Sequence, residues 1–280
     1  MKKIQLLLLV LCCTSNLFAN QNERRWFIDK NFIYEHGSAL STEYLAKTAP
    51  DFSKKLTKIL PWVVRIEVKH SFKDGGYQSN HGTGIIIKGG KVLTANHVLT
   101  QNVPPNSKVE IILTLIDGRE FPATIDKQGQ KDWAQLQLAV KNKDKDLLQS
   151  PITIDPVIPG EMTVFLGYPA RQGLDAQGRI QSFHKGDKNK GMLADALVPM
   201  QVVATVDDPK KMKLEPVAGF PAVGGMSGGP ILNLKGHLVG VQHTILTTTE
   251  DATGKILYYR IGAVPATETT NNSQPDLGCK

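Results

Sequence analysis

Cysteine is nearly absent from this sequence, and its scarcity excludes a fold built on disulfide bonds. Three cysteines occur in 280 residues: Cys12 and Cys13 lie in an apolar N-terminal segment, and only Cys279 lies beyond it. A chain with one cysteine outside that segment has no internal disulfide, so its core is held together by packing. We expect Cys279 to be a free thiol; pairing between two molecules is the alternative.

Long hydrophobic runs are also missing. The apolar run that begins at Ile4, directly after the basic residues Lys2 and Lys3, is too short to cross a bilayer. A basic start, a short apolar run and a small residue at Ala19 are typical of a secretory signal peptide. We therefore expect residues 1–19 to be removed and the mature protein to have no membrane span. It would be exported, periplasmic or secreted, in a bacterium. A retained anchor is the alternative.

Nucleic-acid-binding motifs are absent as well, although the formal net charge is +7. The lysines gather in three polar, loop-like stretches that contain no interleaved aromatic residues. Such clusters are typical of solvated loops and attract acidic partners only weakly, so we expect no nucleic-acid partner. The three clusters are Lys141/Lys143/Lys145, Lys185/Lys188/Lys190 and Lys210/Lys211/Lys213.

Long helical patterns are rare, and many short strand-like segments take their place. Short apolar or alternating runs separated by Gly and Asp turns are typical of antiparallel strands. Two groups of about six strands, divided by the polar residues 141–150, favour an all-β fold of two packed six-stranded antiparallel β-barrels. The strands are predicted at residues 64–68, 84–87, 92–94, 109–116, 121–125 and 136–138, and then at 152–154, 162–166, 197–206, 231–234, 237–246 and 256–261.

The barrel region is flanked by segments of a different texture. Residues 20–61 form an N-terminal extension, in which Phe52, Leu56 and Ile59 share one face of a predicted short helix at 51–60. The barrels occupy residues 62–265, and residues 266–280 are a polar tail that we expect to be disordered from Thr267 onward. Charged, glycine-rich residues at 170–195 are predicted to be a surface loop.

The residues with the clearest chemical signal are 224–230, Gly-Gly-Met-Ser-Gly-Gly-Pro. A serine flanked by glycines on both sides suits a tight loop in which the backbone takes positive φ angles. Such a loop directs one hydroxyl and several backbone N–H groups at a single point, as an acyl-transfer nucleophile and its oxyanion hole require. Ser227 is therefore a candidate nucleophile. An ordinary glycine-rich turn is the alternative.

A serine hydroxyl needs a base within hydrogen-bond reach, and that base needs a carboxylate to orient it. Of seven histidines, His97 directly follows a predicted strand in an apolar context. Asp132 precedes alternating apolar residues, so its side chain is expected to face inward and to need a partner. A buried structural histidine and a solvent-facing carboxylate are the alternatives.

The three segments together resemble the motifs of trypsin-like serine peptidases. These segments are residues 94–98 (Thr-Ala-Asn-His-Val), 132–136 (Asp-Trp-Ala-Gln-Leu) and 225–230 (Gly-Met-Ser-Gly-Gly-Pro). Their order and their separations of 35 and 95 residues are similar to those of the family. Residues 82–87, 164–169 and 240–246 resemble flanking segments of the bacterial HtrA/Deg branch, so the resemblance covers about 62–265.

The resemblance implies a chymotrypsin-like fold and a serine endopeptidase that acts on protein or peptide substrates without a metal or a cofactor. Ser227 would attack the scissile carbonyl, His97 would transfer the proton, and Asp132 would orient His97. The backbone N–H groups of Gly225 and Ser227 would form the oxyanion hole. The residues expected to bind substrate are Pro221, Ala222, Val223, Gln242, His243, Thr244 and Ile245.

The sequence departs from the family at Met226. Many trypsin-like zymogens switch on when a new N-terminus pairs with an Asp at this position, and a methionine binds no ammonium group. Activation by that ion pair is therefore not expected. No acid occurs among residues 221–223, which disfavours cleavage after Lys or Arg and favours small or medium apolar residues. Since 53 residues follow Ser227, we expect no PDZ module.

Two other functions were weighed against peptidase activity. A catalytically silent member of the family would use the same cleft for binding or as a scaffold, and Met226 is the only sequence feature that supports it. An α/β-hydrolase esterase would share the Gly-x-Ser-x-Gly pattern. It would also place a helix after the serine and the catalytic histidine last in the chain. Here no helix is predicted after Ser227, and the best-placed histidine, His97, comes first.

Overall fold

The computed structural model describes residues 45–73, 75–101, 103, 107–168, 172–174, 180–182, 200–208, 212–219, 224–250 and 256–270. The predicted signal peptide, the rest of the extension up to residue 44 and residues 271–280 lie outside these ranges. We number the helices α1 Pro50–Ile59, α2 Asn96–Thr100 and α3 Ala266–Thr270. The strands are β1 Val63–Ser71, β2 Tyr77–Ile87, β3 Lys91–Ala95, β4 Lys108–Thr114, β5 Glu120–Gln128, β6 Trp133–Leu138, β7 Met162–Gly167, β8 Gln172–Leu174, β9 Ile180–Ser182, β10 Met200–Asp208, β11 Lys213–Gly219, β12 Pro230–Asn233, β13 Leu238–Glu250 and β14 Ile256–Pro265.

The first six strands close into an antiparallel barrel in the order β1-β2-β3-β6-β5-β4. Alternation in β1 explains its placement, because Val64, Ile66 and Val68 are buried while the polar residues between them are partly exposed. The turn between β2 and β3 uses Gly89 and Gly90 at φ 84° and 71°, values that glycine adopts without strain. The two strands pair antiparallel across this turn, from Ile85 with Leu93 to Ile87 with Lys91.

The second antiparallel barrel has the strand order β10-β11-β14-β13-β12-β7. The prediction of two six-stranded β-barrels is therefore confirmed, with two differences in detail. β11 was not predicted, because Pro216 interrupts a strand pattern; the proline is accommodated at a register shift against Ala204. The strand predicted at 152–154 is wrong, since Ile154 makes only an isolated bridge to Leu238.

The connecting and terminal segments differ in part from their predictions. The polar residues between the barrels contain a 3₁₀ helix, Asn142–Gln149, and the segment predicted to be a surface loop includes the short β8–β9 sheet. Residues 266–270 form α3, in which Ala266 and Thr269 are buried, so the expected disorder at 267–270 is wrong. None of the helices in the described ranges is long and apolar enough to cross a membrane.

Helix α1 seals the junction between the barrels. The expected face is confirmed, since Phe52, Leu56 and Ile59 are all buried. They belong to one apolar cluster that draws on both barrels and also includes Leu45, Val63, Ile85, Ile87, Leu93, Val164, Leu166, Tyr168, Leu232, Leu238, Val241 and Ala266. The described end of the N-terminal extension is therefore part of the folded core, where burial of apolar area stabilises the contact between the barrels.

Replacing Phe52 with alanine tests this role of the helix. We expect Phe52→Ala to lower the free energy of unfolding by about 3–5 kcal/mol, the usual cost of removing a large buried aromatic side chain. Chemical denaturation of the purified protein measures this change. The control is Lys54→Ala on the same helix, whose ion pair with Asp51 is exposed and worth at most about 1 kcal/mol. Equal effects of the two substitutions would show that α1 is not part of the core.

Candidate active site

His97 and Asp132 form a doubly hydrogen-bonded pair at the edge of the first barrel. His97 is the second residue of α2, which follows β3 directly. Its backbone N–H donates to Asp132 Oδ1 at 2.8 Å, and its ring Nδ1 lies 2.8 Å from Asp132 Oδ2. Both carboxylate oxygens are thus engaged by one residue, which fixes the position and the plane of the imidazole.

The backbone of Asp132 takes an unusual conformation to make these contacts. Its φ is 60°, in the left-handed region that costs a non-glycine residue about 1 kcal/mol or more. The residue lies directly before β6, and the pairing of Trp133 with Ala95 places it opposite the start of α2. The Asn96 N–H donates to the Asp132 carbonyl at 3.1 Å and holds the two segments together.

The surroundings of Asp132 favour its ionised form. Partial burial raises the pKa of Asp132, but hydrogen bonds from the side chain and backbone of His97 outweigh that effect, and the net pKa lies below its ordinary value. An ionised carboxylate only accepts hydrogen bonds, so Nδ1 of His97 carries the proton and donates it. In the neutral form of this imidazole the lone pair is on Nε2, the arrangement that a general base requires.

Ser227 lies in a glycine loop, residues 224–229, that leads into β12 of the second barrel. Gly225 and Gly228 have φ angles of 84° and 85°, as the glycine pattern predicts. The Gly229 N–H donates to the Met226 carbonyl at 3.0 Å and closes the turn around the serine. Among the described residues, no backbone hydrogen bond starts from the N–H of Gly225 or of Ser227.

The loop makes direct contact with the first barrel. A Cβ atom on Gly228 would lie 2.1 Å from Thr94 Oγ1 and 2.8 Å from the Ala95 nitrogen, so only glycine fits. Ala95 is two residues before His97, and Gly228 is next to Ser227. The contact therefore brings Ser227 to the same cleft as the pair formed by His97 and Asp132.

Met226, the position at which the sequence departs from the family, is fully buried. A Cβ atom on Gly167, at the end of β7, would lie 2.6 Å from Cβ of Met226 and 2.9 Å from its Cγ. The loop is thus anchored by an apolar side chain that packs against the second barrel. Apolar burial of this kind stabilises the loop without any ion pair.

A second histidine lies beside the same carboxylate. His243 Nδ1 is 3.8 Å from Asp132 Oδ2, and the side chain is 29% exposed. Burial lowers the pKa of His243; the charge of Asp132 opposes that shift and a charged His97 adds to it. His243 therefore lies next to Asp132. Its expected contact with the substrate stays a prediction.

The other residues expected to bind substrate are described only in part. Gln242 is buried and joins β13 to the loop, since its N–H donates to the Gly229 carbonyl and its carbonyl accepts from the Gly228 N–H. Thr244 is half-buried and faces Gly262 of β14. The side chain of Ile245 and residues 221–223 (Pro221, Ala222 and Val223) lie outside the described part of the structure.

A further histidine–aspartate pair, His237 and Asp155, joins the turn between β12 and β13 to the segment between the barrels. His237 Nδ1 lies 2.9 Å from Asp155 Oδ2, and Asn233 Nδ2 donates to the same oxygen at 3.2 Å. Asn233 also accepts from the backbone N–H groups of Lys235 and His237, as is typical of a turn. No cluster of three potential metal ligands occurs among the described residues.

Comparison with known proteins agrees with this geometry. A model of the family described as "Trypsin-like peptidase domain" matches residues 82–241, more than half of the chain. The proteins named "Serine protease HTRA2, mitochondrial" from Drosophila virilis and from Drosophila grimshawi are each 30% identical over 193 residues. The match covers 66% of this chain and 40% of each relative, so the chain spans less than half the length of those proteins. The chain belongs to the trypsin-like peptidase family and is related to the HtrA serine proteases.

Proposed function

We propose that this protein is a serine endopeptidase that cleaves peptide bonds through Ser227, His97 and Asp132. The observation that carries the proposal is the double hydrogen bond that holds His97 to Asp132, next to the loop that carries Ser227. The carboxylate of Asp132 binds both the backbone and the ring of His97, and so orients the imidazole as a general base in a triad requires. The fully buried Met226 also supports an active enzyme, because it anchors the loop in its folded form.

In this mechanism Ser227 Oγ attacks the carbonyl carbon of the substrate while His97 Nε2 removes the hydroxyl proton. Asp132 stabilises the resulting imidazolium, and the N–H groups of Gly225 and Ser227 bind the oxyanion. When the C–N bond breaks, His97 gives its proton to the leaving amine, and Ser227 holds the acyl group as an ester. A water molecule, deprotonated by His97, then releases the acid and restores the serine.

Loss of the nucleophile tests the proposal directly. A fluorophosphonate probe reacts with an activated serine, and we expect it to label the wild-type protein and not Ser227→Ala. Casein cleavage should fall by at least about 10⁴-fold in the variant, because the hydroxyl that accepts the acyl group is missing. The control is Ser150→Ala, in the segment between the barrels. The Ser150 hydroxyl is buried and bonds the backbone groups of Ile86 and Ile152, outside the cleft. A wild-type protein that is neither labelled nor active would support the silent alternative.

Replacing the carboxylate with its amide tests the role of Asp132. In Asp132→Asn the side-chain NH₂ can donate to Nδ1 of His97, so the proton moves to Nε2 and the base is lost. We expect kcat to fall by about 10⁴-fold, as in other enzymes with this triad, with little change in KM. The measurement is steady-state kinetics near neutral pH.

The matched control is Asp155→Asn, which changes the same atoms in the pair that His237 forms outside the cleft. Its kcat should equal that of the wild type, although its stability is expected to fall. A similar loss of kcat in both variants would mean that Asp132 acts only through folding.

We also propose that the enzyme prefers small or medium apolar residues on the acyl side of the cleaved bond. The support is the sequence Pro-Ala-Val at residues 221–223, which offers no carboxylate to a basic side chain. Mass spectrometry of the products from a peptide library is expected to show few cuts after Lys or Arg. Products that end mainly in basic residues would contradict this preference.

A further inference from the structure

Thr83 in β2 is fully buried and makes contacts that no motif of the family predicted. Its backbone N–H donates to the Ser227 carbonyl at 2.7 Å, and its Oγ1 donates to the Gly225 carbonyl at 2.9 Å. One residue of the first barrel thus holds the carbonyl groups on both sides of Met226 in the second barrel.

The direction of the hydroxyl proton follows from the partners of Thr83 Oγ1. The Tyr168 N–H, directly after β7, lies 2.9 Å from the same oxygen, and an N–H group only donates. The hydroxyl therefore accepts from Tyr168 and has its single proton free for the Gly225 carbonyl. The Thr83 carbonyl accepts in turn from Thr94 Oγ1 at 2.7 Å, so all the polar groups of this residue are paired.

Pinned carbonyl groups determine where the neighbouring N–H groups point. In a trans peptide the C=O and N–H groups face opposite sides. The Met226 carbonyl turns toward the Gly229 N–H, which directs the Ser227 N–H the other way. The carbonyls of Gly225 and Ser227 belong to the two peptide groups that flank the one carrying the Ser227 N–H, so Thr83 restrains this peptide group from both sides.

We propose that Thr83 is a positioning residue for catalysis. Its hydroxyl holds the glycine loop, residues 224–229, in the conformation that places the N–H groups of Gly225 and Ser227 for the oxyanion hole. This inference rests on the proposed function, because it concerns the transition state of the same site. Thr83 touches neither the substrate nor the reacting atoms, and it acts by fixing Gly225. An error of about 1 Å in the placement of such groups reduces the rate by about 10²-fold.

The test compares Thr83→Val, which keeps the shape and loses the hydroxyl, with Thr83→Ser, which keeps it. The readouts are the second-order rate of fluorophosphonate labelling, kcat and KM for casein, and Tm. For Thr83→Val we expect labelling and kcat to fall by about 10-fold to 100-fold while KM changes little. Thr83→Ser should stay within about 3-fold of the wild type.

The control is Thr163→Val in β7. Thr163 is equally buried, and its hydroxyl donates to a backbone carbonyl, that of Ala204, at 2.9 Å, inside the second barrel. Both valine variants should therefore have a lower Tm than the wild type, but only Thr83→Val should have a lower kcat. All rates are measured about 10 °C or more below the Tm of the least stable variant, so that unfolding does not contribute.

The outcomes separate this inference from the proposed function. A wild-type protein that the probe does not label contradicts the peptidase proposal itself. A labelled wild type with a folded Thr83→Val variant of unchanged rate contradicts only the role of Thr83. If the valine variant does not fold, Thr83→Ala serves in its place. A folded Thr83→Ser variant that has lost labelling overturns the role of the hydroxyl.

Discussion

Gly228 lies against Thr94 and Ala95 at a distance that leaves no room for any side chain. This contact joins the end of β3 in the first barrel to the glycine loop that leads into β12 of the second. Since His97 and Ser227 are close neighbours of the contacting residues, their relative position follows from it. Asp132 is then added by the pairing of β3 with β6. The site thus inherits its geometry from strand pairing and from one close contact between backbones.

The glycine loop, residues 224–229, is held by a buried apolar side chain and by neutral hydrogen bonds. Met226 packs beneath the loop against Gly167, and Thr83 binds the carbonyls on either side of it. A buried apolar contact and neutral hydrogen bonds are little affected by salt or by cleavage elsewhere in the chain. These contacts come from the packed barrels, whose junction α1 covers.

The sequence predicted most of the fold because antiparallel strands with one buried face leave a two-residue period. β1 illustrates this, and the glycine pair at 89–90 forms the turn of the hairpin between β2 and β3. β11 was not predicted because Pro216 breaks the strand pattern, and the pairing with β10 shifts register next to this proline. Residues 152–154 were predicted to form a strand and do not. Ile152 and Ile154 pack against the core, and Ile154 forms one isolated bridge.

The sequence by itself determined which chemical groups the site contains, since the glycines around Ser227 and the settings of His97 and Asp132 are local features. Only the tertiary structure decided how these groups are held. The hydroxyl of Thr83 bonds a carbonyl 142 positions away, and His243 lies beside Asp132 from the other barrel. Such contacts leave no local pattern, because they depend on how two closed barrels pack and not on the order of neighbouring residues.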